Sequence, residues 1–149
     1  MQVNFREIVA SDVTSIAAIA EMERECFALP WPEKEIFSVC NRADFCGVVA
    51  QMNGEIVGYL LGLTLFEDAE VLRVAVLEKF RGQKIGGAIL DRFFELVKEK
   101  GAQKAFLEVR VSNLPAIRLY ESRAFTRGRV REKYYENGES AIEMYKRLL

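Results

Sequence analysis

The spacing of apolar residues switches between strand-like and helix-like periods along the chain, and each switch marks an element. VNFREIVA, residues 3–10, alternates well enough to predict an opening strand. SDVTSIAAIAEMERECF then begins on Ser and Asp, good N-cap residues, and places Val13, Ile16, Ile19 and Ala20 at helical intervals. Leu29, Pro30, Trp31 and Pro32 interrupt, and Pro32 suits the first turn of a second short helix running to about Asn41. From Phe45 the pattern becomes strand-like. FCGVVAQM and EIVGYLLGLTL are separated by Asn53-Gly54, the favoured two-residue hairpin signal, and AEVLRVAVL is a third β-branched run beside them.

A glycine-rich turn follows, then a helix to about Lys100, whose end is marked by Gly101. KAFLEVRV reads as a strand reached through a helical crossover, which implies parallel pairing on the right-handed side. Asn113 to Ser122 is a short helix with Pro115 near its start, and FTRGRVREKYY, NGE and SAIEMYKRLL form a second hairpin with Asn137-Gly138 at its tip. The order β-α-α-β-β-β-α-β-α-β-β predicts an α+β fold, with a mixed, mostly antiparallel sheet around one βαβ crossover and helices on both faces. No linker, low-complexity tract or repeat divides the chain, so residues 1–149 are expected to form one domain.

Composition removes several classes of function. With 21 Lys+Arg against 22 Asp+Glu and a net charge of -1, nothing pulls the chain as a whole toward nucleic acid or an anionic membrane. Cys26, Cys40 and Cys46 form neither a CxxC pair nor an even secreted framework, which favours a reduced, cytoplasmic setting. The N-terminal segment lacks the cationic and apolar regions of a signal peptide, and no apolar run approaches the roughly 20 residues of a membrane span. The chain has no histidine, so His-based triads and the common His-containing zinc sites are excluded, and no metal is expected. Acid–base chemistry must come from carboxylates, Tyr, Cys or Lys.

The segment FRGQKIGGAILDRFFELV carries the strongest local signal. A strand ending at Leu77, a turn with Gly82, Gly86 and Gly87, and a helix starting near Ile85 would present free backbone N–H groups at a positive dipole end, with Arg81 and Lys84 adding charge suited to phosphate. The P-loop spacing and G-x-G-x-x-G are both absent. A purely structural glycine turn fits the spacing equally well.

The whole pattern resembles the GNAT superfamily of acetyl-coenzyme A-dependent N-acetyltransferases, and within it the RimI type, which acetylates the N-terminal alanine of a small-subunit ribosomal protein. LPW at 29–31, EVLRVAV leading into FRGQKIGGAIL, LEVRVSNLPAIRLYES and the REKYYENGESAIEMY tail carry the resemblance. It implies a sheet splayed between the fourth and fifth strands, with acetyl-coenzyme A as co-substrate. Its pyrophosphate would lie on Arg81, Gly82, Gln83, Lys84, Ile85, Gly86 and Gly87, and its pantetheine arm along Val74, Ala75 and Val76. Asn113 matches an asparagine that contacts the cofactor, although it also suits an N-cap for the helix at Leu114. Lys84 stands where the family has its first cradle glycine, and we expect it to be helical already, keeping its N–H and adding charge. Ala124 replaces a glycine at the close of the following helix, which puts the local geometry there in question.

The same resemblance makes Glu108 the general base and Tyr120 the general acid that protonates the departing sulfur. On pattern alone Glu108, although it interrupts an apolar strand, reads more readily as a residue pointing to solvent, and Tyr120 as a core residue with its hydroxyl at the surface. Trp31, Glu70, Tyr134 and Tyr135 are expected around the acceptor, with core packing and solvated charge as the competing roles. The implied partner is a protein N-terminus or peptide, a ribosomal protein among them, with no direct nucleic-acid or membrane contact and a monomer or weak dimer as the working form. A small amine or lysine side chain as acceptor, and a coenzyme A-binding module without catalysis, remain open at this point.

Overall fold

The computed structural model describes residues 2–148. Seven strands form one sheet: β1 (Asn4–Glu7), β2 (Phe45–Met52), β3 (Glu55–Leu65), β4 (Asp68–Val76), β5 (Lys104–Arg110), β6 (Thr126–Arg131) and β7 (Ala141–Arg147), in the order β1-β2-β3-β4-β5-β7-β6. Every pairing is antiparallel except β4 with β5. That parallel ladder is short, with Asp68, Ala69 and Glu70 opposite Lys104, Ala105 and Phe106, after which the strands part. The splayed α/β sheet expected from the sequence is present.

Helix α1 (Val13–Cys26) starts where Asp12 accepts the Ser15 amide at 3.1 Å, and α2 (Glu33–Cys40) follows Pro32, which is the cap and not the first helical residue. Both lie on the sheet face that carries Tyr59 and Leu61, and bury Ile16, Ile19 and Ile36. Helix α3 (Ile85–Glu99) crosses the opposite face, where Gly58 and Gly62 leave room for Ile89 and Phe93. Helix α4 (Leu114–Ser122) packs on the same side, with Leu119 against Gly86 and Phe125, just beyond α4, against Phe94 with ring centroids 5.9 Å apart.

The turns vary in how well the sequence announces them. Asn53 and Gly54 both take positive φ, as the hairpin signal requires. The second hairpin is looser than its sequence suggests: Asn137-Gly138 does sit at a turn, with the Gly138 amide donating to Tyr135 O at 2.9 Å, but the strands end at Arg131 and resume at Ala141. Ala124 takes φ 68, the left-handed conformation that its glycine-like place implied.

A register shift between Leu61 and Gly62 makes Leu72 an extra residue in β4, so that Glu70 and Arg73 both face α1 instead of opposite sides. Gly62 sits at this bulge. A Cβ there would lie 2.7 Å from Glu70 O and 2.7 Å from the Phe93 ring. Because the backbone oxygen cannot yield, Gly62→Ala is expected to destabilise the fold by about 1–3 kcal/mol, read as a lower urea midpoint at unchanged m.

Candidate active site

The parting of β4 and β5 opens a cleft of about 840 Å³ that lies mainly against α3 and α4 and reaches Cys26 and Phe27 at the end of α1. One wall is the outer half of β4, Val74 to Val76, which pairs with β3 only. The floor is the first turn of α3. No side chain caps that helix, and the first amide shown bonding back into it is that of Ala88, to Lys84 O, so the N–H groups of Ile85, Gly86 and Gly87 are available to an anion. Gly82, with φ 80, has nothing within 4 Å of where a Cβ would stand. The cleft's size, its strand wall with backbone groups turned inward and its amide floor fit a long ligand that ends in phosphates.

Every residue predicted for the cofactor lines this cleft except Gln83. Two carry unexpected detail. Arg81 folds back, its Nε donating to Val76 O at 2.9 Å, so it already occupies one acceptor of the strand wall. Lys84 corrects the expectation of a helical residue: it has φ 65 and ψ 18, in the left-handed region. The chain must reverse direction immediately before Ile85, and that reversal falls on the residue that a glycine would fill most easily. Asn113 caps α4, accepting the Ala116 amide at 3.2 Å, and it also lines the cleft.

Tyr120 also lines the cleft. It is buried against Phe125, ring centroids 5.7 Å apart, and its hydroxyl has no hydrogen-bond partner among the described residues. Burial pushes its pKa well above the ordinary phenol range; Tyr135 adds to this and Arg73 opposes it.

The carboxylates stand on the other face. Glu70 lies opposite Phe106 in the parallel ladder, and Glu108, two residues further along β5, shares that side. Tyr134 donates its hydroxyl to Glu108 Oε1 at 3.3 Å. Glu108 Oε2 is buried and accepts no hydrogen bond, with Arg131 Nε at 3.4 Å but not aligned for one. Burial raises the Glu70 pKa, and the charge of Glu108 raises it further. Tyr134 and Tyr135 meet edge to face at 5.0 Å, and the Arg110 guanidinium lies 3.9 Å from the Tyr135 ring centroid. Trp31 is not in this group: its ring is 5.0 Å from Arg73 and its amide donates to Glu23 at 2.8 Å. Tyr120 and Glu108 thus approach the gap between β4 and β5 from opposite faces.

The sequence reading missed several residues of the cleft, including Phe27, Phe80, Leu119 and Arg123. Arg123, held by Asp91 at 2.9 Å, covers Gly87 so closely that a Cβ there would overlap its guanidinium. It also missed Glu23, a fully buried carboxylate. Its place on the stripe of Ile16, Ile19 and Ala20 was the available signal.

A splayed sheet whose gap opens onto an uncapped helix start, with a tyrosine on one face of it and a carboxylate on the other, is the arrangement this chain shares with one enzyme family. The chain belongs to the acetyltransferase (GNAT) family, whose pattern matches residues 16–125, and it is an acetyltransferase of that family, whose donor is acetyl-coenzyme A. It is 35% identical over 134 residues to an uncharacterized N-acetyltransferase of Methanocaldococcus jannaschii, covering 87% of this chain and 84% of that one. It is 29% identical over 141 residues to the ribosomal protein bS18-alanine N-acetyltransferase of Escherichia coli, covering 92% and 94%. The crystal structure of the ribosomal-protein-S18-alanine N-acetyltransferase from Escherichia coli superposes with a TM-score of 0.89 at 27% identity, over 99% of this chain and 94% of that one.

Proposed function

We propose that this protein, as one domain in the cytoplasm, moves the acetyl group of acetyl-coenzyme A directly onto the N-terminal amine of a protein, the N-terminal alanine of a small-subunit ribosomal protein being the acceptor we favour. The observation that carries this reading is the gap beyond Glu70 and Phe106, with Tyr120 on its cleft side and Glu108 on its other side. The name of the Escherichia coli relative supports the choice of acceptor.

The chemistry needs only groups already in place. A peptide α-amine has a pKa of about 8, so a carboxylate suffices to take its proton at neutral pH. Glu108 is that base, and its Oε2 has no hydrogen-bond donor among the described residues to compete with the amine. Tyr120 returns a proton to the sulfur as it leaves, and the high pKa that burial imposes keeps the hydroxyl protonated for that step. Glu70 holds the incoming ammonium beside Glu108, Tyr134 and Tyr135 line the acceptor path, and Trp31 walls its other side. The N–H groups of α3, with Arg81 and Lys84, hold the diphosphate.

Lys84→Gly separates strain from charge. Relieving the left-handed backbone is expected to stabilise the fold by about 1 kcal/mol. Losing the cation is expected to weaken acetyl-coenzyme A binding by about two- to fivefold. Thermal melting and calorimetric titration should therefore move in opposite directions.

The function is tested with acetyl-coenzyme A and three acceptors: an alanine-first peptide with a free α-amine, the same peptide blocked there but carrying lysine, and a polyamine. Mass spectrometry should find acetyl on the free α-amine. Faster transfer to lysine or to the polyamine would replace this reading with a side-chain or small-amine acetyltransferase.

A further inference from the structure

We infer that Arg73 is a positioning residue for the acceptor, fixing the loop from Phe27 to Trp31 against β4 through the buried carboxylate of Glu23. The inference rests on the reading above for what the loop serves, but not for how the loop is held.

Glu23 is 0% exposed and sits on the apolar stripe of α1. A buried carboxylate is tolerated only when it is paired and hydrogen-bonded. Here the donors converge from three directions: the Tyr59 hydroxyl from β3, the Trp31 amide at 2.8 Å from the loop, and Arg73 Nη2 at 2.8 Å from β4. The same Nη2 donates to Leu29 O at 3.1 Å. Above it the guanidinium carbon lies 4.0 Å from the Phe27 ring centroid, a cation–π contact with a residue that lines the donor cleft.

One side chain therefore ties the loop at its start, its middle and, through Glu23, its end. Only an arginine offers a planar fork with enough donors to serve a carboxylate and a carbonyl while stacking on a ring. The bulge at Leu72 is what makes this possible, because without it Arg73 would face α3 and not the loop. Val74, the next residue, begins the wall of the donor cleft, so the strand that lines the donor cleft also sets the pose of the acceptor loop.

A residue that merely supported the fold would, when removed, weaken both substrates together. Positioning predicts a much larger effect on the acceptor than on the donor, since Phe27 is the one residue of the loop that lines the donor cleft. Arg73→Met is expected to raise the KM of the alanine-first peptide about tenfold while the KM of acetyl-coenzyme A stays within about twofold. Trp31 is the only tryptophan in the chain, so intrinsic fluorescence reports on the loop directly. Acrylamide quenching of the protein without substrate should rise about twofold in the variant, as the ring loses the contacts that order it.

Removing Arg73 leaves the Glu23 charge without its counter-ion, which endangers folding. Two further variants meet that hazard. Arg73→Lys keeps the charge for Glu23 but not the fork, and Glu23→Gln combined with Arg73→Met removes both charges while leaving an amide oxygen for the Trp31 N–H and an amide NH2 from which the Tyr59 hydroxyl can accept. Both are expected to stay folded and to show the same selective rise in peptide KM and in quenching. Unchanged peptide KM and quenching in a folded variant, or equal rises in both KM values, would overturn the inference. If the wild-type protein acetylates no peptide, the proposed function fails, and the quenching comparison still decides whether Arg73 fixes the loop.

Discussion

Glu108→Gln is expected to lower kcat for a free-amine peptide by about 10²–10³ at neutral pH, the usual size of a general-base contribution. Glutamine preserves the shape of the side chain and can still accept the Tyr134 hydroxyl, now 3.3 Å from Oε1. It cannot take up a proton. The ion pair lost with Arg131, whose side chain is 42% exposed, is worth little by comparison. Glu108 does not line the donor cleft, so calorimetric binding of acetyl-coenzyme A should be nearly unchanged. The sign of the pH dependence follows from the substrate. Above a pH of about 8 most α-amines are already neutral, so the deficit of the variant should shrink as pH rises. A variant as fast as wild type at neutral pH would remove Glu108 from the mechanism.

Tyr120→Phe is expected to lower kcat by about 10² with a smaller change in either KM, because the ring and its packing against Phe125 are retained and only the hydroxyl is lost. The raised pKa gives a second check. A phenol pushed upward keeps its proton to higher pH than a free tyrosine, so the wild-type rate should show no alkaline fall assignable to Tyr120 near the ordinary tyrosine value of about 10. If the variant loses affinity while kcat holds, Tyr120 is a packing residue.

What could be read from the sequence was what nearby residues decide. Asn53-Gly54 set the first hairpin, and the bounds of β2 and β3 were legible to the residue. The floor of the cleft was equally legible, because strand, glycine turn and helix follow each other within a short span. The β3–β4 turn was not: Phe66 takes φ 55 there without a glycine or asparagine to announce it, since the long register between those strands dictates the turn. Lys84 was misjudged for the same kind of reason, as its conformation is imposed by where α3 must begin. The Glu23 cluster lay furthest from view. Its partners Tyr59 and Arg73 are 36 and 50 residues away, and a bulge that no local pattern signals turns Arg73 toward it. Pairwise spacing carries no record of such meetings.

The short ladder at Asp68 to Glu70 gives this sheet interior borders as well as its two outer ones. Outer borders invite any extended chain to add a strand, and here β6 carries arginines along one of them. The interior borders are screened differently: closed at one end and flanked by helices, they admit a slender, thread-like molecule but turn away the breadth of another protein's sheet. Hydrogen-bonding capacity that would elsewhere be a liability for self-association is thus reserved by shape for a small ligand.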